Sequence, residues 1–236
     1  MTDPNYTALL LIVDRSGSMS SIKSDMEGGL NTLIAEQLAE PGLLTVDLFT
    51  FDTEVKHECS LVDPKNLDIK IEPRGSTALY DAIGIGVTEF GRSLAAMPEH
   101  ARPETVQVIV VTDGEENASV EYKASAIKKL VLSQKEDYKW DFVFLGANQD
   151  AVLNGVDLGF DAGSALTFAP GAGGVDASAK SMSRYMTDVR RKQKKLFLAE
   201  ERIAALEAEA DEQRRKEAEE QARRADDQDN PDAVAS

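Results

Sequence analysis

Ala8-Leu9-Leu10-Leu11-Ile12-Val13 runs straight into Asp14-Arg15-Ser16-Gly17-Ser18. Six apolar residues closed by a turn are far too few to span a membrane, but they suit a strand buried on both faces. That strand delivers one carboxylate, Asp14, and two hydroxyls, Ser16 and Ser18, into a glycine-containing turn. All three side chains can aim oxygen at one spot, which is the shell that hard divalent cations such as Mg2+ take. Taken alone, the string is also an ordinary helix start, because Ser and Asp cap free N–H groups. The rest of the chain decides between the two.

Outward from that junction, apolar runs alternate with helical patterns. Ile22, Met26, Leu30, Leu33, Ile34 and Leu38 recur at helical spacing and predict a helix over about 21–40, stopped by Pro41-Gly42. Residues 45–51 and a second run ending near Cys59 predict a hairpin whose second strand is an edge. A helix is expected over 79–96, then the nearly continuous β-branched run Val106-Gln107-Val108-Ile109-Val110-Val111, a central parallel strand. A helix over about 120–133, strands at 141–145 and 165–168 and a short helix near Ala151 complete the pattern. Gly171-Ala172-Gly173-Gly174 reads as a flexible joint before a last helix from about Asp176. The expected fold is α/β: a doubly wound, mostly parallel six-stranded sheet with one antiparallel edge strand.

In such a sheet the strand ends converge at the carboxyl edge, where ligands bind. Asp14 and Asp113 each end a strongly apolar strand, and Gly75-Ser76-Thr77 sits in a third loop just before a helix. Asp14, Ser16, Ser18, Thr77 and Asp113 would therefore surround one point. Mg2+ takes about six ligands, so a position would remain for water or an incoming acid. Mn2+ or Ca2+ would fit similar oxygens. Helix capping does not predict all three loops together.

These residues, in this order, resemble the von Willebrand factor type A domain, whose metal-ion-dependent adhesion site (MIDAS) follows D-x-S-x-S…T…D. The resemblance covers roughly residues 6–188. It implies a Rossmann-like sheet, with the serines and threonine as direct ligands and the aspartates often acting through water. It also implies a partner carboxylate that completes the shell. Arg74-Gly75-Ser76-Thr77-Ala78-Leu79, Asp113-Gly114-Glu115-Glu116-Asn117 and Phe144-Leu145-Gly146-Ala147-Asn148 look like the intracellular bacterial or phage branch. In that branch such domains often serve AAA+ ATPases as recruiting or regulatory partners.

A net charge of −16 argues against a nucleic-acid binder, which would present a basic face. One cysteine, Cys59, allows no internal disulfide, and no signal or membrane segment is evident, so a cytoplasmic protein is expected. The domains read as 1–188 for the α/β unit, 189–225 for a charged helical extension and 226–236 for a disordered tail. Residues 189–236 hold 11 basic and 13 acidic residues, and the stripe Leu196, Ala199, Ile203, Leu206, Ala210 covers barely two heptads. A solvated extension is favoured over a coiled coil.

The expected function is a cation-dependent protein-binding module, with a scaffold built on the extension as the alternative. A Mg2+-dependent hydrolase is disfavoured because there is no D-x-D pair and no phosphate loop. Lesser residues read more blandly. Asp52 is expected as a turn residue, Glu115 and Glu116 as a solvated loop, and His57 and His100 as isolated. Asp81 is expected either near the cation or favouring the helix dipole, and Arg74 paired with a partner's acid or with neighbouring aspartates.

Overall fold

The structure, a computed structural model, describes residues 2–147, 150–193 and 195–208. Asn148, Ala210 and the tail at 226–236 lie outside the described residues. Among the described residues, six strands form one sheet: β1 (Asp3–Asp14), β2 (Leu43–Phe51), β3 (Val55–Val62), β4 (Pro103–Thr112), β5 (Asp141–Ala147) and β6 (Ala165–Phe168). Their order is β3-β2-β1-β4-β5-β6, and only β3 pairs antiparallel, at the edge. The expected fold class is the one observed.

The period-two geometry of a strand divides β1 between two cores. Leu9, Leu11 and Val13 enter the layer under α1 (Lys23–Ala39) and α5 (Ala172–Arg190). Ala8, Leu10 and Ile12 enter the opposite layer, under α2 (Leu79–Ala96) and α3 (Ala124–Tyr138). A seven-residue helix, α4 (Ala151–Asp157), packs beside β5 and β6.

Three expectations are corrected. The joint at 171–174 is the start of α5: a Cβ on Gly174 would stand 2.1 Å from the Ala169 carbonyl oxygen, so this glycine serves a close backbone approach. The helix expected from 120 begins at Ala124, because the N–H groups of residues 120–122 are tied to Asp81. Finally, residues 197–208 are not a solvated rod. Phe197 and Ala205 are buried, Arg184 grips Glu201, and Arg202 donates to the carbonyls of Ala162, Gly163 and Ala165. Of the apolar stripe, Ile203 is 55% and Leu206 50% exposed.

Candidate metal centre

Parallel pairing sets Val13 opposite Val111, so β1 and β4 end side by side at the carboxyl edge. There the Thr112 hydroxyl donates to Asp14 Oδ2 (2.5 Å) and the Ser16 N–H to Asp14 Oδ1 (2.6 Å). Both oxygens of a fully buried carboxylate are thus fixed in direction. Burial pushes the Asp14 pKa up to about 6; the hydrogen bonds from Thr112 and Ser16 oppose that rise and the nearby charge of Asp113 adds to it. Asp113 is likewise raised by burial, against a lowering by the Ser18 hydrogen bond.

The remaining oxygens gather around the Asp113-Gly114 turn. Ser18 Oγ donates to Asp113 Oδ1 at 2.6 Å, and the Ser16 and Ser18 hydroxyls are 3.0 Å apart. Thr77 arrives from the third loop. A Cβ on Gly114 would stand 2.9 Å from Thr77 Oγ1 and 3.5 Å from Ser18 Oγ, so the two hydroxyls flank a space that a glycine leaves open. All five expected residues therefore meet in one cluster. Its donors are hard oxygens only, two carboxylates and three hydroxyls, a set that fits Mg2+, Mn2+ or Ca2+. Among the described residues no group of three or more His, Cys, Asp or Glu is arranged for a metal.

Two loops of the site are laced together through Asp52. Its Oδ2 receives Arg74 Nε (2.7 Å) and Arg15 Nη2 (3.2 Å), while Oδ1 accepts the Glu54 N–H (2.8 Å). Burial raises the Asp52 pKa, but the Arg74 and Glu54 hydrogen bonds and the two guanidinium charges outweigh it and hold the carboxyl below its ordinary value. The open choice at Arg74 resolves to a neighbouring aspartate. Backbone contacts add to the lacing: Gly17 N–H to Gly75 O (3.2 Å) and Arg74 N–H to Arg15 O (2.9 Å).

The loop carrying Asp113 is clasped to the start of α2, and this was missed in the sequence. Asn117 Oδ1 accepts the Thr77 N–H (2.9 Å), Glu116 Oε2 that of Tyr80 (2.9 Å), and Ser119 Oγ that of Asp81 (3.0 Å). The free N–H groups at a helix start are thus satisfied from a distant loop. Glu116 also accepts the N–H groups of Ala118 and Ser119, so it is no solvated side chain. Asp81, an acid in the first turn of α2, spends its carboxylate on that loop, accepting the N–H groups of Val120, Glu121 and Tyr122. The short motif Glu116-x-x-Ser119 opposite a helix start was the available signal.

His57 is not isolated either. Its Nε2 lies 2.6 Å from Asp47 Oδ1, and its ring stacks on Phe49 with centroids 4.0 Å apart. Among the described residues no helix is long and apolar enough to cross a membrane.

Comparison with known proteins agrees with this architecture. Residues 4–136, more than half of the chain, match the family described as VWA domain containing CoxE-like protein. No curated protein matches the sequence. Among solved structures, one similar fold is the vWF domain of the type V pili tip protein Mfa5 from Porphyromonas gingivalis, at 10% identity and TM-score 0.56, covering 80% of this chain and 97% of that one. A von Willebrand factor type A protein from Catenulispora acidiphila matches at 14% identity and TM-score 0.55, over 78% of this chain and 43% of that one. Proximal thread matrix protein 1 from the mussel byssus, described with a zinc-occupied MIDAS motif, matches at 15% identity and TM-score 0.53, over 80% and 46%. The chain spans less than half the length of these last two proteins.

Proposed function

This chain belongs to the family of VWA domain containing CoxE-like proteins, and we propose that it is a divalent-cation-dependent protein-binding module with an intact MIDAS. Asp14, Ser16, Ser18, Thr77 and Asp113 would hold Mg2+. One observation carries the reading: three loops far apart in sequence bring only oxygen donors to the space beside Gly114. When bound, the cation supplies positive charge and a coordination position that a carboxylate can take.

The protein's own part is to hold the donors still. Thr112 and the Ser16 N–H aim Asp14, Asp52 ties the loops of Arg15 and Arg74, and Asn117 with Glu116 seats the Asp113 loop on α2. The partner is a protein that presents a Glu or Asp. A cation explains how a chain of net charge −16 would accept an acidic ligand. Following the resemblance, we place the module in the cytoplasm, in the intracellular bacterial or phage branch. It would be an adaptor or regulator, with an AAA+ ATPase or its substrate as partner, and without nucleic acid or membrane. No catalytic residue is assigned, since both aspartates serve as metal oxygens.

A second reading, assembly through the C-terminal helix, is favoured by the outward Ile203 and Leu206. A pull-down from the native cell separates the two. On the first reading, partner recovery in Mg2+ is lost with chelator and with Ser16→Ala. Recovery that ignores both, but disappears with Ile203→Glu/Leu206→Glu, would establish the second in its place.

A further inference from the structure

A cavity of about 870 Å³ opens between α2, α3 and the first residues of β4. Its wall at Pro103–Val106 is the opposite end of β4 from Thr112, about 20–30 Å along the strand from the candidate metal centre. The volume is in the range of small-molecule sites, about 300–1,000 Å³. Val87, Leu94, Val106, Leu130 and Trp140 give it an apolar floor. Gly91 keeps it open over the indole: even a Cβ there would lie 3.5 Å from Trp140 Cη2.

The rim is charged against the trend of the molecule. In a chain of net charge −16, Arg92, Arg102, Lys139, Lys192 and Lys195 line this cavity against a single carboxylate, Glu104. Glu104 is engaged by Lys192 at 2.8 Å, and Lys195 lies 3.7 Å from Asp141. Arg102 donates to the carbonyls of Ala95 and Met97, and its charge also acts on Glu99. Arg92 and Lys139 have no carboxylate partner among the described residues, and the Lys139 ammonium donates only to the Glu136 carbonyl. Arg92 and Lys139 beside an apolar floor favour an anion with an apolar body.

We infer that this cavity is a binding site for a small amphipathic acid, an aliphatic or aromatic body bearing one carboxylate or phosphate head. The body lies on Trp140 in the space left by Gly91, and the head meets Arg92 and Lys139 at the rim. The site is separate from the cation-binding reading and does not depend on it.

The chain has one tryptophan, so its emission reports this cavity directly. Decanoate, decyl phosphate and decanol share an apolar body and differ in the head, and each would be titrated against the full chain. Decanoate or decyl phosphate is expected to move the Trp140 emission saturably, the tighter of the two identifying the head, with decanol at least tenfold weaker. Arg92→Glu/Lys139→Glu should weaken the anions at least tenfold while leaving decanol unchanged. Gly91→Leu, a favourable helix substitution that fills the space, should abolish binding of all three while melting no lower than wild type. Equal affinity for decanol and the anions would overturn the inference, as would unaltered binding in the charge-reversed chain. Saturable quenching by an acidic peptide but by none of the three probes would reassign the groove to a protein partner.

Discussion

Replacing Asp81 with alanine removes three hydrogen bonds from the clasp that carries Asp113. The buried Asp81 carboxylate accepts the N–H groups of Val120 (2.8 Å), Glu121 (3.0 Å) and Tyr122 (2.7 Å). A hydrogen bond to a charged acceptor is worth about 1.5–3 kcal/mol, so three full losses would total about 4.5–9 kcal/mol, a large part of a domain's stability of about 5–15 kcal/mol. Val120 and Glu121 are exposed, however, and water can take over their donors. Tyr122 is half-buried with its ring against Gly84, where a Cβ would come within 2.5 Å, so its donor is the costly one. The expected loss is about 2–4 kcal/mol. Asp81→Asn keeps one oxygen for Glu121 and Tyr122 and should lose only about 1 kcal/mol. Urea unfolding at constant m-value measures both. An alanine cost below about 1 kcal/mol, or equal to that of asparagine, would refute the clasp.

Gly174→Ala should cost about 1–3 kcal/mol, read as a lowered unfolding midpoint, since its Cβ would enter the Ala169 carbonyl and backbone must move. Asp141, buried at the start of β5, has its pKa raised by desolvation, partly offset by Lys195 and by hydrogen bonds from Gln107 and Tyr185. The folded state therefore holds this proton more tightly than the unfolded chain, so stability falls as pH rises from the ordinary carboxylate range through the raised value. Asp141→Asn should flatten that part of the stability–pH curve, and an unchanged slope would count against the assignment.

Local patterns were legible where neighbours in sequence set the structure. The 79–96 helix was read to the residue, and the β1 and β4 ends placed both aspartates on one edge. The candidate site was legible because strand ends of a parallel sheet converge whatever their separation. What escaped the sequence was set by partners far along the chain. Asp81 meets residues 39 to 41 positions away and so delays α3, and Glu116 meets Tyr80 36 positions away. Gly171–Gly174 has the composition of a linker, and only the packing of Gly174 on Ala169 reveals a helix start. Phe197 could be placed only once Tyr185 stood beside it, ring centroids 5.0 Å apart.

The central claim is that oxygens from three loops form one cation site, and Mn2+ binding followed by electron paramagnetic resonance tests it most directly. The account predicts one tight Mn2+ per chain, displaced by Mg2+. It should be weakened at least tenfold by Thr77→Val, which keeps the shape and removes a hydroxyl, and lost in Asp113→Ala. Mn2+ binding that is absent, or that is equal in all three proteins, would contradict it.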